Sequence, residues 1–228
     1  MDVNSNKYTI GFSFVMVVIV ALLLAFASEG LKPMQNQNIE REKMQNILKS
    51  VGVEVTRDEA KGAYDKYITE AIVLNEKGEK IEGDAFKVDV LKEYKSGGQK
   101  NFPIFIYENE GNKKYIIPLV GKGLWGPIWG YIALESDKNT VAGASFDHKG
   151  ETPGLGAEIN QGWFQEPFVG KKVFDESGNY QSIKVKKGGA PEDDKHGVDA
   201  ISGGTITGNG VTEMLVRTLK TYEPYLKS

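Results

Sequence analysis

Pro103-Ile104-Phe105-Ile106-Tyr107-Glu108 opens a run of four short β-prone segments, continued at residues 114–119, 128–134 and 140–147. β-branched and aromatic side chains dominate them, and turn signals such as Glu110-Gly111-Asn112 separate them, as in hairpin-connected strands. Working outward, Gly78, Gly83, Gly97 and Gly98 punctuate the chain from Val73 onward. Before that point the period changes. Met44, Ile47, Leu48 and Val51 fall at helical spacing with Gly52 just beyond, and a second helical stretch, weakened by Gly62, covers residues 57–70. After the strands, Val211, Met214, Leu215, Thr218, Leu219 and Tyr222 define an amphipathic helix, with Asn209 as a candidate cap and Pro224 as its expected end. The chain therefore reads as α+β, with a mostly antiparallel sheet flanked by helices. No internal repeat or low-complexity linker divides the region after the N-terminal segment.

From Tyr8 to Ser28 there are 21 residues without a charge. At about 1.5 Å per residue a helix of that length spans roughly 30 Å, the hydrocarbon thickness of a bilayer. A single N-terminal transmembrane helix is expected at residues 9–28, after a short segment 1–8. A connector at 29–38 and one domain at 39–228 follow. Ala25-Phe26-Ala27 also fits a signal-peptide cleavage site, but the apolar run is longer than such peptides use, and Lys7 is balanced by Asp2. Cations do not favour an N-inside orientation, since Lys32, Arg41 and Lys43 follow the span while Lys7 alone precedes it.

A net charge of −3 without a Lys/Arg patch argues against a nucleic-acid partner. The absence of cysteine excludes disulfides, Cys-ligated iron–sulfur clusters and haem attachment through C-x-x-C-H, so a redox role needs an organic cofactor. With His148 and His196 the only histidines, no metal site is expected.

The stretch most informative about chemistry is Asp199-Ala200-Ile201-Ser202-Gly203-Gly204-Thr205-Ile206-Thr207-Gly208, immediately before the last helix. Gly203 and Gly204 leave the backbone open to close approach, and the free amides and dipole of a helix N-terminus favour an anion. By itself such a turn is an ordinary helix start. No strand-linked G-x-x-x-x-G-K-[ST] accompanies it, so a nucleotide-hydrolysing P-loop is not supported.

Asp199-x-x-Ser202-Gly203-x-Thr205 resembles the flavinylation motif D-x-x-[ST]-G-A-[TS] of covalent FMN-binding domains, whose last Thr carries FMN through a phosphoester. Upstream, Glu151-Thr152-Pro153-Gly154-Leu155-Gly156 resembles the ETPGLG signature of the C subunits of sodium-translocating NADH:quinone oxidoreductases and of the related G subunits of Rnf complexes. Residues 121–131, with Trp125 and Trp129, are closer to the sodium-pump pattern. One position departs from the family, Gly204 standing where Ala is usual; Ser202 and Thr207 are the neighbouring hydroxyls.

The resemblance implies an electron carrier holding covalent FMN on Thr205 and relaying electrons toward quinone. It also implies a periplasmic domain anchored in the bacterial inner membrane, the A, B, D, E and F subunits of the pump as partners, and maturation by a magnesium-dependent flavin transferase that uses FAD and recognises a sequence including Asp199. By the resemblance, sodium pumping and NADH oxidation belong to the complex. The one G-x-G-x-x-G match, residues 121–126, runs into the β-prone segment 128–134 and not into a helix, so no dinucleotide-binding fingerprint is present, and no catalytic residues are assigned to this chain. Ring or ribityl contacts are expected from Thr152, Gly154, Leu155 and Gly156, phosphate contacts near Ser202, Gly203 and Gly204, and stacking from Trp125. Glu151 is open between flavin contact and loop anchor, Asp199 between attachment chemistry and turn fixing, and His148 between site and surface; His196 and the acidic run 192–194 read as surface. An Rnf-type carrier and an anchored binding module without redox activity are the alternatives.

Overall fold

The computed structural model describes residues 5–96 and 100–228, so the turn signals Gly97 and Gly98 and the first four residues lie outside it. The chain divides into two compact units, residues 1–43 and 44–228.

In the first unit, helix α1 (Asn6–Lys49) begins and carries the one stretch among the described residues long and apolar enough to cross a membrane. Ile10, Phe14, Leu22, Leu23, Leu24 and Phe26 all project outward. An exposed apolar surface of this kind needs a lipid or protein environment. Residues 29–38, expected as a connector, are helical and include Pro33. The proline removes one backbone hydrogen bond, while Leu31, Lys32, Met34, Gln35 and Gln37 around it are good helix formers.

The second unit is built on a six-stranded antiparallel sheet. After α2 (Ala60–Tyr67) come β1 (Ile68–Leu74), β2 (Lys80–Ile81), α3 (Val90–Lys95), β3 (Phe102–Asn109), β4 (Asn112–Lys122), β5 (Pro127–Leu134) and β6 (Val141–His148), in the spatial order β2-β1-β3-β4-β5-β6. All four strands read from the sequence are present within two or three residues of the expected bounds. The second helix is shorter than expected, because residues 68–70 turn into β1 and pair with β3.

Side chains alternate between two cores as the pleat requires. Ile104, Ile106, Ile117, Leu119, Ile128 and Ile132 face one side, and Phe105, Tyr107, Ile116, Tyr131 and Ala133 the other, where Ile47 and Val51 join them. Ser145 Oγ donates to the Asn46 carbonyl at 3.0 Å, tying β6 to the end of α1.

Beyond β6, a 3-10 turn (Gly156–Asn160), α4 (Gly162–Gln165) and a short parallel pair, β7 (Lys184–Lys186) with β8 (Gly197–Asp199), lead to α5 (Thr205–Leu226). Helix α5 buries Val211, Met214, Leu215, Thr218, Leu219 and Tyr222, the face read from its periodicity. Each large apolar side chain among them is worth about 1.5–3 kcal/mol. Tyr222 is fully buried and its hydroxyl donates to the Pro103 carbonyl at 2.7 Å. Two expected boundaries are corrected. The helix starts at Thr205, with the Gly208 amide donating to the Gly204 carbonyl at 2.9 Å, so Asn209 lies inside it; it also continues through Pro224 to Leu226.

Two glycines set how near α5 lies to β4. A Cβ on Gly121 would sit 2.8 Å from the Met214 Cβ, and one on Gly210 would collide with the Lys122 carbonyl oxygen. Their absence brings the N-terminal turn of α5 beside the loop that follows β4.

Candidate flavin site

Three segments distant in sequence meet at that turn. A cleft of about 240 Å³ is lined by Leu124 from the β4–β5 loop, by Glu151, Thr152, Leu155 and Gly156 from the loop after β6, and by Gly203, Gly204, Thr205, Ile206 and Thr207. Leu124, Leu155 and Ile206 are 48%, 42% and 56% exposed. The wall is thus apolar and open to solvent, with hydroxyls and a helix terminus at one end.

The turn before α5 is closed by the Gly204 amide donating to the Ile201 carbonyl at 3.0 Å, with Gly203 at φ +73, a conformation that favours glycine. A Cβ on Gly203 would also lie 2.6 Å from Leu155 Cδ2, so this glycine lets the two motif blocks touch. Gly204 is the N-cap residue and supplies no side-chain cap, which leaves the first-turn amides of α5 without an intrahelical partner. Thr205 is the first helical residue and is half-buried. At Gly204, a Cβ would lie 3.0 Å from Cβ and Cγ2 of Ile201, so glycine here relieves a tight contact that alanine would press.

Glu151 joins the three segments. It is 5% exposed; its Oε1 accepts from the Trp125 amide at 2.8 Å, and its Oε2 accepts from the Thr207 hydroxyl. The Glu151 amide in turn donates to His148 Nδ1 at 3.1 Å, which gives His148 a structural contact behind the loop. Gly123 and Gly156 leave room for the carboxylate, since a Cβ on either would approach it within 2.6 Å. Gly154, at φ +74, donates to Glu158 Oε1 at 3.0 Å, and Glu158 Oε2 accepts from Trp163 Nε1 at 3.3 Å, so the outer half of the loop is braced by α4.

Of the residues named from sequence, Thr152, Leu155, Gly156, Gly203, Gly204 and Thr205 come together in the cleft. Ser202, Gly154, Trp125 and Asp199 are not among its lining residues. The Trp125 side chain is 70% exposed, and its backbone amide makes the contact with Glu151. Leu124, Ile206 and Thr207 were not anticipated as lining. The signal for them was adjacency, since each neighbours a motif residue in a turn or in the first helical turn.

Asp199 is exposed at the end of β8, where Oδ1 accepts from the Ala190 amide at 2.6 Å and pins the turn after β7. Asn in its place keeps an acceptor oxygen but no charge. We expect Asp199→Asn to melt with the wild type yet take up less flavin from the transferase; equal loading would leave Asp199 with the turn alone. Within the acidic run, Asp194 accepts from Lys186 Nζ at 2.5 Å, which holds its carboxyl below the usual range. His196, expected at the surface, is half-buried, and its Nδ1 donates to the Lys172 carbonyl at 2.7 Å. Among the described residues, no group of three or more His, Asp or Glu is placed to hold a metal.

The glycine turn into α5 and the segments that form the cleft fall within residues 123–220, which match the family model described as FMN-binding domain. The C subunit of the Na(+)-translocating NADH-quinone reductase from Vibrio vulnificus is 32% identical, with 91% of this chain and 88% of that protein aligned, and the Yersinia pestis counterpart is 31% identical over 92% and 88%. The crystal structure of the same pump component from Parabacteroides distasonis superposes with a TM-score of 0.81 at 48% identity, covering 87% of this chain and 98% of the other; that of NqrC from Shewanella oneidensis gives 0.70 at 27%, covering 82% and 98%. The chain belongs to the NqrC family, the C subunits of the Na(+)-translocating NADH-quinone reductase.

Proposed function

We propose that the chain is an electron-relaying component of a sodium-translocating NADH:quinone oxidoreductase, carrying FMN on Thr205 through a phosphoester. The observation that carries this reading is the position of Thr205. It is the first residue of an uncapped helix, half-buried in a cleft whose walls hold both motif blocks. When bound, FMN supplies a ring that accepts and donates electrons. The chain's own residues would do the rest. Thr205 Oγ1 holds the phosphate, the first-turn amides and the helix dipole stabilise its charge, and Leu124, Leu155 and Ile206 shield the ring. Thr152 offers a directed polar group at the same wall, and Gly203 keeps a side chain out of the space between the motif blocks. A phosphate tether leaves the ring's electronics to noncovalent contacts and prevents loss of the cofactor.

The test is intact mass with in-gel flavin fluorescence on denatured protein, made with and without a flavin transferase. Transferase should add the mass of one FMN less water to the peptide holding Thr205. Unmodified protein under both conditions would favour the anchored binding module. The relatives carry the name of the sodium pump's C subunit, which favours that pump over an Rnf-type carrier.

The same reading has α1 crossing a bacterial inner membrane once, with the sheet domain in the periplasm and the A, B, D, E and F subunits of the pump as partners. Protease added to spheroplasts should degrade residues 44–228. Their survival, with an outer marker cleaved in the same sample, would reverse the orientation.

A further inference from the structure

Two threonines face the cleft from the first turn of α5, and they stand in different surroundings. Thr205 is half-buried at the helix start. Thr207 is 2% exposed, and its hydroxyl donates to Glu151, itself 5% exposed and held by the Trp125 amide at 2.8 Å. A carboxylate accepting from a hydroxyl is also the arrangement that activates a nucleophile. Access therefore decides between the two. Resting on the assignment of FMN to Thr205, we infer that Glu151 is a positioning residue that confines flavin attachment to Thr205 by holding the Thr207 hydroxyl inside the protein.

The step being directed balances simply. A threonine oxygen forms a bond to the FMN phosphorus of FAD, the P–O bond of the diphosphate breaks, AMP leaves with the electron pair, and the hydroxyl proton is lost. Only an oxygen that reaches phosphorus in line can take part. The Thr207 oxygen is directed at Oε2 of Glu151 and packed against Gly156, where no side chain fits between them. Among the described residues, none holds the Thr205 hydroxyl by a hydrogen bond in this way. Glu151 also ties the β4–β5 loop to the helix start, so its removal frees the wall that covers Thr207.

The experiment uses the full chain coexpressed with a flavin transferase and maps the flavin-bearing residue by peptide mass spectrometry. Wild type should carry FMN on Thr205 alone, and Thr205→Val should carry none. In Glu151→Ala, part of the flavin should move to Thr207, and Thr205→Val/Glu151→Ala should be labelled on Thr207. Labelling that only falls on Thr205, with none appearing on Thr207 in either variant, is a general loss of structure and counts against the proposal. If Glu151→Ala is labelled only on Thr205, to the wild-type extent, with the double variant unlabelled, Glu151 does not select the acceptor. Should Glu151→Ala fail to fold, Glu151→Asp retains the charge on an arm too short to reach both donors and is held to the same outcomes. A wild-type protein labelled elsewhere than Thr205 overturns the acceptor assignment itself, whatever Glu151 does.

Discussion

Thr205→Val is expected to give a folded protein with no covalent flavin: no mass increment, no fluorescent band after denaturation, and a melting temperature close to that of the wild type. Val has nearly the shape of Thr, so packing at the start of α5 is preserved while the nucleophilic oxygen is lost. Thr205 does not cap the helix, since the N-cap position belongs to Gly204. The substitution should therefore cost about 1 kcal/mol of stability or less, the ordinary size of a single replacement that opens no cavity and buries no unpaired polar group. Loss of attachment should be complete because a phosphoester needs an oxygen, and Thr207 is held by Glu151. Residual flavin that survives denaturation would transfer the bond to another hydroxyl, with Ser202 and Thr207 the first to examine.

The second large effect is expected at Gly156. It is buried where the loop after β6 crosses the start of α5, and an added Cβ would lie 2.5 Å from Glu151 Oε2 and closer still to Thr207 Oγ1. Neither neighbour retreats easily. Glu151 is fixed from the other side by the Trp125 amide, and the Thr207 side chain is buried in the first turn of α5 with its hydroxyl held by Glu151. Gly156→Ala must separate the loop from the helix, at a cost of about 1–3 kcal/mol typical of overpacking in a close-packed interior. Because the same movement opens the cleft, flavin loading should fall with stability. Denaturant unfolding of the unmodified protein measures the first and mass spectrometry the second. Wild-type stability together with full loading would mean that the loop and helix are not pressed together there.

The sheet was legible because each of its strands combines a local alternation with a clear turn, and the same property made the buried face of α5 readable from Val211 to Tyr222. What periodicity could not supply was termination. Asn209 resembles a cap, but a helix starting at Thr205 gains one more turn packed against the loop after β6, and tertiary contact outweighs the capping preference. Pro33 and Pro224 likewise look like breaks and lie within helices. The strands β7 and β8 are three residues each, too short for a pattern to stand out. At the site, motif residues that line the cleft were visible as motifs, whereas the joining role of Glu151 was not. Its partners Trp125 and Thr207 lie 26 and 56 residues away, a distance across which sequence spacing carries no geometric information.

Those long separations bear on when the acceptor becomes usable. The motif around Thr205 exists as soon as it is synthesised, but its cleft is completed by the β4–β5 loop, the loop after β6 and a helix reaching Leu226. Closing such loops is slow compared with forming a helix, and each contact depends on the others being in place. Attachment of the cofactor would then follow folding rather than guide it. On the proposed attachment to Thr205, the flavin would mark chains that have assembled correctly, and a misfolded copy would be left unlabelled and electrically silent.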